Sequence, residues 1–474
     1  MPDFSIIAQD PAIRAIVQEN ILERAFHDSL FPRLLFRGEA TAVAWPAGIG
    51  DTQVFSAPGL IPVDARPLKP GTDPVPQSYV LEQWTAQLQQ YAGTIDTAMP
   101  TSMVAIADLF LRNSHQLGLQ AARTVNVIAR NRMYAAALSG WTVADGAQTT
   151  VTALRVKRLN GFTRARNPNT VNASQVRFDL VSSSNPLAIA IFDTTGPAEV
   201  SRNVIGFLAD TAGDEYGPGV LTLSAAVSVL DRAYVISSDR SALTRVGGGN
   251  KVDSVVSTSL PLLSHIRQAN ARFWQENVPE HPDGRFHAHL DPTSQNLIFA
   301  DTEFQRLLTA LPDYYMYKQF ALGELLNTVF YRNSEAPNSE TVIGGSTATF
   351  DARDPFVGEL WNTGTPTGNQ TTTGVKVHRI LFTAQGGIME YYSDLSNLLT
   401  EAGITGRIAD PRITNNGIDV YSDRIQLLIR APLNRLQDMV ATSWKFIGDW
   451  PVRTDAATGD AARYKRFYTI EHGE

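Results

Sequence analysis

The residues best placed to do chemistry sit in one run, HPDGRFHAHLD, which carries His281, Asp283, His287, His289 and Asp291. On an extended strand His287 and His289 project from the same face, the arrangement in which paired imidazoles bind a metal. A metal-dependent hydrolase would draw on His281, His287 and His289. The run carries no HExxH or other zinc signature, and the turn HPDG gives His281 and Asp283 a backbone role. Structural histidines are the better account, and no catalytic, cofactor-binding or metal-ligating residue is assigned. GxSxG, GxxxxGK[ST] and a GxGxxG after a strand are absent from the chain, so hydrolase, P-loop and Rossmann chemistry lack support. The glycines at 247–249 read as a joint, and Asp301 and Glu303 read as helix-start acids. Arg155, Lys157, Arg158, Arg164 and Arg166 cluster with no aromatic among them but Phe162, as on a solvated face.

The elements around that run are more informative than the run itself. SHQLGLQAARTVNVIARNRMYAAALSG, from Ser114 to Gly140, predicts one long helix with Ser114 as N-cap and Gly140 just past its end. Leu117, Ala121, Val125 and Ile128 form its apolar stripe, with Arg123 and Arg130 outside, and its length is about 39 Å. A shorter apolar helix, Met99–Asn113, leads into it. Before these, Gln53–Val63 and Tyr79–Tyr91 predict a two-stranded hairpin with a proline-rich tip, since Val80, Trp84, Ala86 and Leu88 alternate with polar neighbours. Asp10-Pro11 opens an N-terminal helix running to about Leu30.

From Thr149 to about Gly249 the chain reads as strands: TTVTALRVKRL, VRFDLVSS, LAIAIFDTT, GVLTLSAAVSVL and DRAYVISS. Helices return with PLLSHIRQANARFWQENV, whose stripe is Leu262, Ile266, Ala269 and Phe273. The strand RFHAHLDP and a single helix, NLIFADTEFQRLLTALP, ended by Pro312, come next. A segment rich in Thr, Gly and Asn to Gly374 reads as loop. VKVHRILFTAQGGIMEYY, GIDVYSDRIQLLIR and ATSWKFIGDWPV read as strands.

Composition sets outer bounds. With 474 residues, 43% hydrophobic and 18% charged, this is a folded chain of two or three domains. A net charge of −7 argues against broad attachment to nucleic acid. The absence of cysteine removes disulfides, thiolate metal sites and cysteine nucleophiles. No signal peptide and no apolar run of membrane-spanning length are present, so a soluble protein assembled in the cytosol is expected, with no membrane contact.

The order of these elements resembles a known family. QAARTVNVIARNRMYAAALSG (120–140) looks like the spine helix of tailed-bacteriophage major capsid proteins with the Hong Kong 97-type fold, in the branch typified by coliphage N-four. HIRQANARFWQENVP (265–279) and FHAHLDPTSQNLIFADTEFQRL (286–307) are similar to the family's axial-domain helix, strand, DP turn and helix. ALGELLNTVFYRNSEAP (321–337) is similar to its Gly-containing strand and S-E-A-P-like turn. The hairpin at 49–96 sits where the extended loop belongs.

The resemblance implies an α+β fold and a division of the chain into six parts. These are an N-terminal arm (1–48), the extended loop hairpin (49–96) and a peripheral domain with the spine helix (97–148). A β-rich insertion (149–250) is where the chain departs from simpler members. An axial domain (251–374) and a return to axial and peripheral strands (375–474) complete it. The implied function is a non-enzymatic shell subunit that assembles with itself into pentamers and hexamers around a double-stranded DNA genome, which it touches only loosely. Its implied place is the virion capsid, assembled in the host bacterial cytoplasm. Scaffolding, portal and decoration proteins are the further partners implied. The alternatives are another virion part, such as a decoration or portal protein, and the metal-dependent hydrolase above.

Overall fold

A computed structural model describes residues 35–45, 50–58, 67–74, 81–98, 106–167, 177–196, 198–211, 216–231, 233–250, 254–309, 323–333, 338–339, 377–393, 413–414, 417–422, 424–430, 439–454 and 464–473. The expected helix after Asp10-Pro11, most of the proline-rich tip, the S-E-A-P turn and the Thr-rich segment to Gly374 lie outside these residues. The chain is α+β and divides into two compact units.

The first unit takes Met1–Val54, Thr85–Arg130 and Ile388–Pro451. Its sheet runs Thr41–Ala44, Met389–Tyr392, Met439–Asp449, Ile425–Arg430, Gly417–Ser422 and Ile413–Thr414, and Gln89–Ala98 also pairs with Met439–Asp449. That last pairing is unbroken, from Met439↔Ala98 to Gly448↔Gln89. The long helix lies close to it: Trp444 Nε1 donates to Gln120 Oε1 at 3.2 Å. Gly93 permits that approach, since a Cβ there would stand 2.5 Å from Trp444 Nε1 and 2.6 Å from Gln120 Oε1. Asn126 Oδ1 accepts from the backbone N–H groups of Phe36 and Arg37, capping a short helix at Leu35–Gly38. Beneath it, buried Glu390 binds Arg37 at 2.6 Å and Arg424 at 3.0 Å.

The long helix covers Ile106–Ala137, so Ser114 is a buried residue inside it rather than its N-cap, and the two expected helices are one. No proline or glycine pair interrupts the join at Asn113–Ser114, and a serine within a helix costs little. Leu117, Ala121 and Val125 are buried as expected. Arg130, placed outside the stripe by spacing, is 1% exposed. The turn Leu138–Gly140 follows, with Gly140 at φ +78°.

Thr52–Pro58 and Leu81–Gln87 pair as a two-stranded ribbon, closed at its base by Leu88 N–H donating to Asp51 O at 2.8 Å. Trp84 and Ala86 are buried while Thr85 and Gln87 are exposed, the alternation read from the sequence. Trp84 stacks on Phe55 at 6.1 Å. The second strand is shorter than expected: past Leu88 the chain leaves the ribbon for the sheet of the first unit.

The second unit, Phe55–Trp84, Asn131–Gly387 and Val452–Glu474, holds two sheets. One is six-stranded and antiparallel throughout, in the order Trp141–Val143, Tyr234–Ser237, Leu187–Phe192, Glu199–Ala209, Gly219–Val229, Gln148–Val156. It begins eight residues before the expected border at 149, and Leu243–Arg245 near the other border joins the second sheet instead. The strand Glu199–Ala209 went unread in the sequence, because Arg202 and Asn203 interrupt its apolar alternation. The other sheet has Leu243–Arg245, Phe467–Gly473, Val377–Thr383, Phe286–Leu290, Thr328–Arg332 and Glu324–Leu325 in order, with Asn338–Ser339 beside Val377–Thr383.

Helix Leu263–Gln275 packs Leu263, Ile266, Ala269 and Phe273 into the core of that second sheet. Leu262, expected in the stripe, is the exposed N-cap. The expected single helix after Asp291 is two, Pro292–Ala300 and Thr302–Thr309. Asp301 breaks it, at ψ 127°, because its carboxylate accepts from the N–H groups of Leu263 and Glu303. Local side-chain capping outcompetes helix continuation there.

Two glycines in this unit approach backbone to backbone. A Cβ on Gly161, at φ +83°, would stand 2.1 Å from Gly140 N. Gly161→Ala is therefore expected to lower stability by about 1–3 kcal/mol from the left-handed strain alone. The test is a urea midpoint, and an unshifted midpoint would contradict this contact.

Candidate functional site

The strand Phe286–Leu290 carries the histidines, paired on one side with Thr328–Arg332 and on the other with Val377–Thr383. The turn before it is tight: Gly284 N–H donates to His281 O at 2.8 Å, with Gly284 at φ +76°. This brings the His281 ring flat against that of His287, with centroids 3.9 Å apart. His287 Nε2 meets Asp283 Oδ2 at 3.0 Å, and Asp283 Oδ1 accepts from Arg285 N–H. Burial pushes the Asp283 carboxyl up, but the bonds from His287 and Arg285 outweigh it and leave it below its ordinary value. His289 is fully buried and lies against Tyr331 at 5.5 Å. The ring nitrogens of His281, His287 and His289 do not all three lie together at one point.

A second cluster, missed in the sequence, joins Asp291 to residues far along the chain. Asp291 Oδ1 caps helix Pro292–Ala300 by accepting from Ser294 N–H at 3.2 Å, and it also accepts from the Ser294 hydroxyl. Its other oxygen meets His378 Nδ1 at 2.7 Å. Ser294 Oγ lies 2.7 Å from His472 Nε2, while His472 Nδ1 donates to Gly473 O at 3.0 Å. Strand register explains the assembly: His378↔His472 and Arg379↔Glu471 are adjacent cross-strand pairs, so they face opposite sides of one sheet. On the other side, Glu471 binds Arg379 at 3.0 Å and Arg245 at 2.7 Å, all fully buried.

Serine, histidine and aspartate are together here, yet they do not form a nucleophilic triad. The aspartate orients His378, whereas the serine meets His472, and Ser294 is 0% exposed. The cluster instead ties a helix start to two strands. Burial raises Asp291, but the hydrogen bond and charge of His378 and the bonds from Ser294 overcome this and lower it to about 2. Burial lowers His472 to about 4. Burial also raises Glu471, and Arg245 and Arg379 more than reverse it.

Two members of the basic cluster are ion-paired. Arg155 binds Asp210 at 2.6 Å and Asp145 at 3.0 Å, and Lys157 reaches Asp145 at 3.8 Å. Arg158 is buried and donates to Trp141 O. Arg155 and Lys157 thus lie on a paired face, whereas Arg158 is interior.

No protein-family model and no curated protein matches the chain. Among solved structures it is similar to the capsid of Ralstonia phage GP4, at 12% identity and TM-score 0.45, covering 94% of this chain and 90% of that one. It is similar to the capsid of cyanophage P-SCSP1u, at 10% identity and TM-score 0.45, over 92% and 87%. Cyanophage Pam1 capsid is a third, at 8% identity and TM-score 0.46, over 92% and 89%. With scores and identities this low, the chain's own residues must carry any functional conclusion.

The buried histidine gives a pH dependence with a definite sign. His472 has a folded pKa near 4 against 6.5 for the free group, so the unfolded chain takes up its proton first. Stability should be unaffected above pH 7 and fall between about pH 6.5 and 4, by on the order of 3 kcal/mol. Asp291 adds a further loss below its ordinary 3.8 as pH falls toward 2. Urea midpoints measured across pH 7 to 4 test this. The slope should flatten in His472→Gln, and a wild-type profile flat over that range would contradict the assignment.

Proposed function

We propose that this chain is the major capsid protein of a tailed bacteriophage, which self-assembles into the icosahedral shell around a double-stranded DNA genome. What carries the reading is one observation. A two-stranded ribbon with a proline-rich tip is followed by the strand Gln89–Ala98 and a single helix, Ile106–Ala137, and, beyond the six-stranded sheet, by a sheet bearing the strand, DP cap and two helices of 286–309. This is the element order that the sequence resemblance implies.

The ribbon supplies the physical reason. Two strands alone are marginal in water, and their outer edges present N–H and C=O groups that need partners. Among the described residues only Thr52–Pro58 and Leu81–Gln87 pair with each other there. The described part of the tip, residues 67–74, is exposed throughout, with Leu68 61% accessible. A second copy that adds a strand to the ribbon satisfies these edges. Closed rings of such head-to-tail contacts around five- and six-fold axes build a shell from one sequence.

In this reading, the second sheet and its helices form the axial domain, and the long helix with the Met439–Asp449 sheet forms the peripheral domain. The six-stranded sheet is an insertion domain. The shell has no catalytic chemistry, and its contact with packaged DNA is loose, as a charge of −7 favours. Scaffolding, portal and decoration proteins are its further partners, and assembly takes place in the host bacterial cytoplasm. No helix among the described residues is long and apolar enough to cross a membrane. The branch typified by coliphage N-four is the placement that the motif order favours.

Deletion of Val63–Ser78 is expected to leave a folded protein that forms no closed particles under negative-stain microscopy, where the full chain does. Normal particles from the deletion variant would contradict the role given to the ribbon.

A further inference from the structure

The six-stranded sheet carries a groove of ≈ 540 Å³ that the shell reading leaves unused. Its walls include Ser201, Arg202, Asn203, Ser224, Ser238 and Arg240, and no aspartate or glutamate lines it. Register places Ser201 opposite Ala190 and Asn203 opposite Ala188, so the floor on that face is made of small side chains and stays low and open. Asn203 N–H donates to Ser224 Oγ at 3.3 Å, which leaves the serine's own proton available to a ligand.

The charge of this groove comes from Arg240. Arg37, Arg155, Arg245 and Arg379 each meet a carboxylate within 3.2 Å. Among the described residues Arg240 does not. Arg202, opposite Ile189, shares the face of Val200 and Val204 rather than that of Ser201 and Asn203, and it donates to the carbonyls of Ser201 and Ala226. Arg240 lies over the Trp141 ring at 5.4 Å, its guanidinium turned to no acid. An arginine with no carboxylate beside it, in a groove of serine and asparagine side chains that no acid lines, describes an anion site.

We propose that this groove binds a phosphate group, free or carried on a ligand of about nucleotide size. The donors outnumber what a planar carboxylate can accept. A guanidinium fork, serine hydroxyls and an asparagine amide instead suit the several oxygens of a tetrahedral oxyanion. The volume falls in the range of small-ligand pockets. Arg240 supplies the charge-assisted contact, and Ser201, Ser224 and Asn203 orient the oxygens.

The test is calorimetric titration of the full chain in phosphate-free buffer, with inorganic phosphate in one arm, a mononucleotide in the second and acetate at matched ionic strength in the third. Saturable binding of phosphate is expected, weakened roughly 10- to 100-fold in Arg240→Gln, the loss usual for one charged hydrogen bond. Tighter binding of the nucleotide than of phosphate would identify the carried group as the ligand, and equal binding would identify the free ion; both uphold the site. Because Arg240 also covers Trp141, Ala188→Leu serves as a second variant that fills the floor and should block binding with Arg240 in place. Absence of saturable heat with phosphate and nucleotide, acetate binding as tightly as phosphate, or wild-type affinity in both variants would overturn the proposal. Particle formation is not needed for this titration, so its outcome is separate from that of the shell reading.

Discussion

Backbone hydrogen bonding is the constraint from which the rest of this structure follows. Every strand edge must find a partner, and the chain solves that problem in two opposite ways on either side of Leu88. Gln89–Ala98 is bonded along its whole length to Met439–Asp449, which joins sequence positions more than 300 residues apart. Leu81–Gln87 pairs with only the other strand of the ribbon among the described strands, and beyond it Gln87 N–H donates to Asp449 Oδ2 at 3.0 Å. The first arrangement is complete in itself. In the proposed shell the second is half of an interface, because an unpaired edge costs free energy unless another chain or solvent serves it.

Buried charge fixes what the strands alone leave loose. Glu390 in the first unit and Glu471 in the second each gather two guanidiniums. Removing one member of such a buried set leaves an uncompensated charge and typically costs roughly 3–5 kcal/mol. In the second unit the same two strands carry Glu471 on one face and His472 on the other. One register thus sets both an ion cluster and a helix cap. A one-residue slip would exchange the two faces and lose both.

The ribbon, the long helix and the strand of histidines were legible because each rests on local pattern. Trp84 and Ala86 alternate with polar residues, Leu117, Ala121 and Val125 repeat at helical spacing, and His287 and His289 stand two apart. What escaped is set by distant partners. Nothing near Asp301 in sequence says that Leu263 N–H will claim its carboxylate and break a helix. Nothing near Asp291 announces His378 and His472. Arg130 falls off the apolar stripe yet is buried, which spacing alone cannot reveal. The strand Glu199–Ala209 was hidden by Arg202 and Asn203, which interrupt its apolar alternation.

Hydrogen exchange on the ribbon tests the central claim most directly. Amides of Thr52–Pro58 and Leu81–Gln87 would be followed by mass spectrometry in dispersed subunits and in assembled particles, with Gln89–Ala98 as internal reference. The account predicts slow exchange of the reference in both states, and ribbon amides that exchange fast in the subunit and become protected in the particle. Ribbon amides as protected in the lone subunit as in the particle would contradict it.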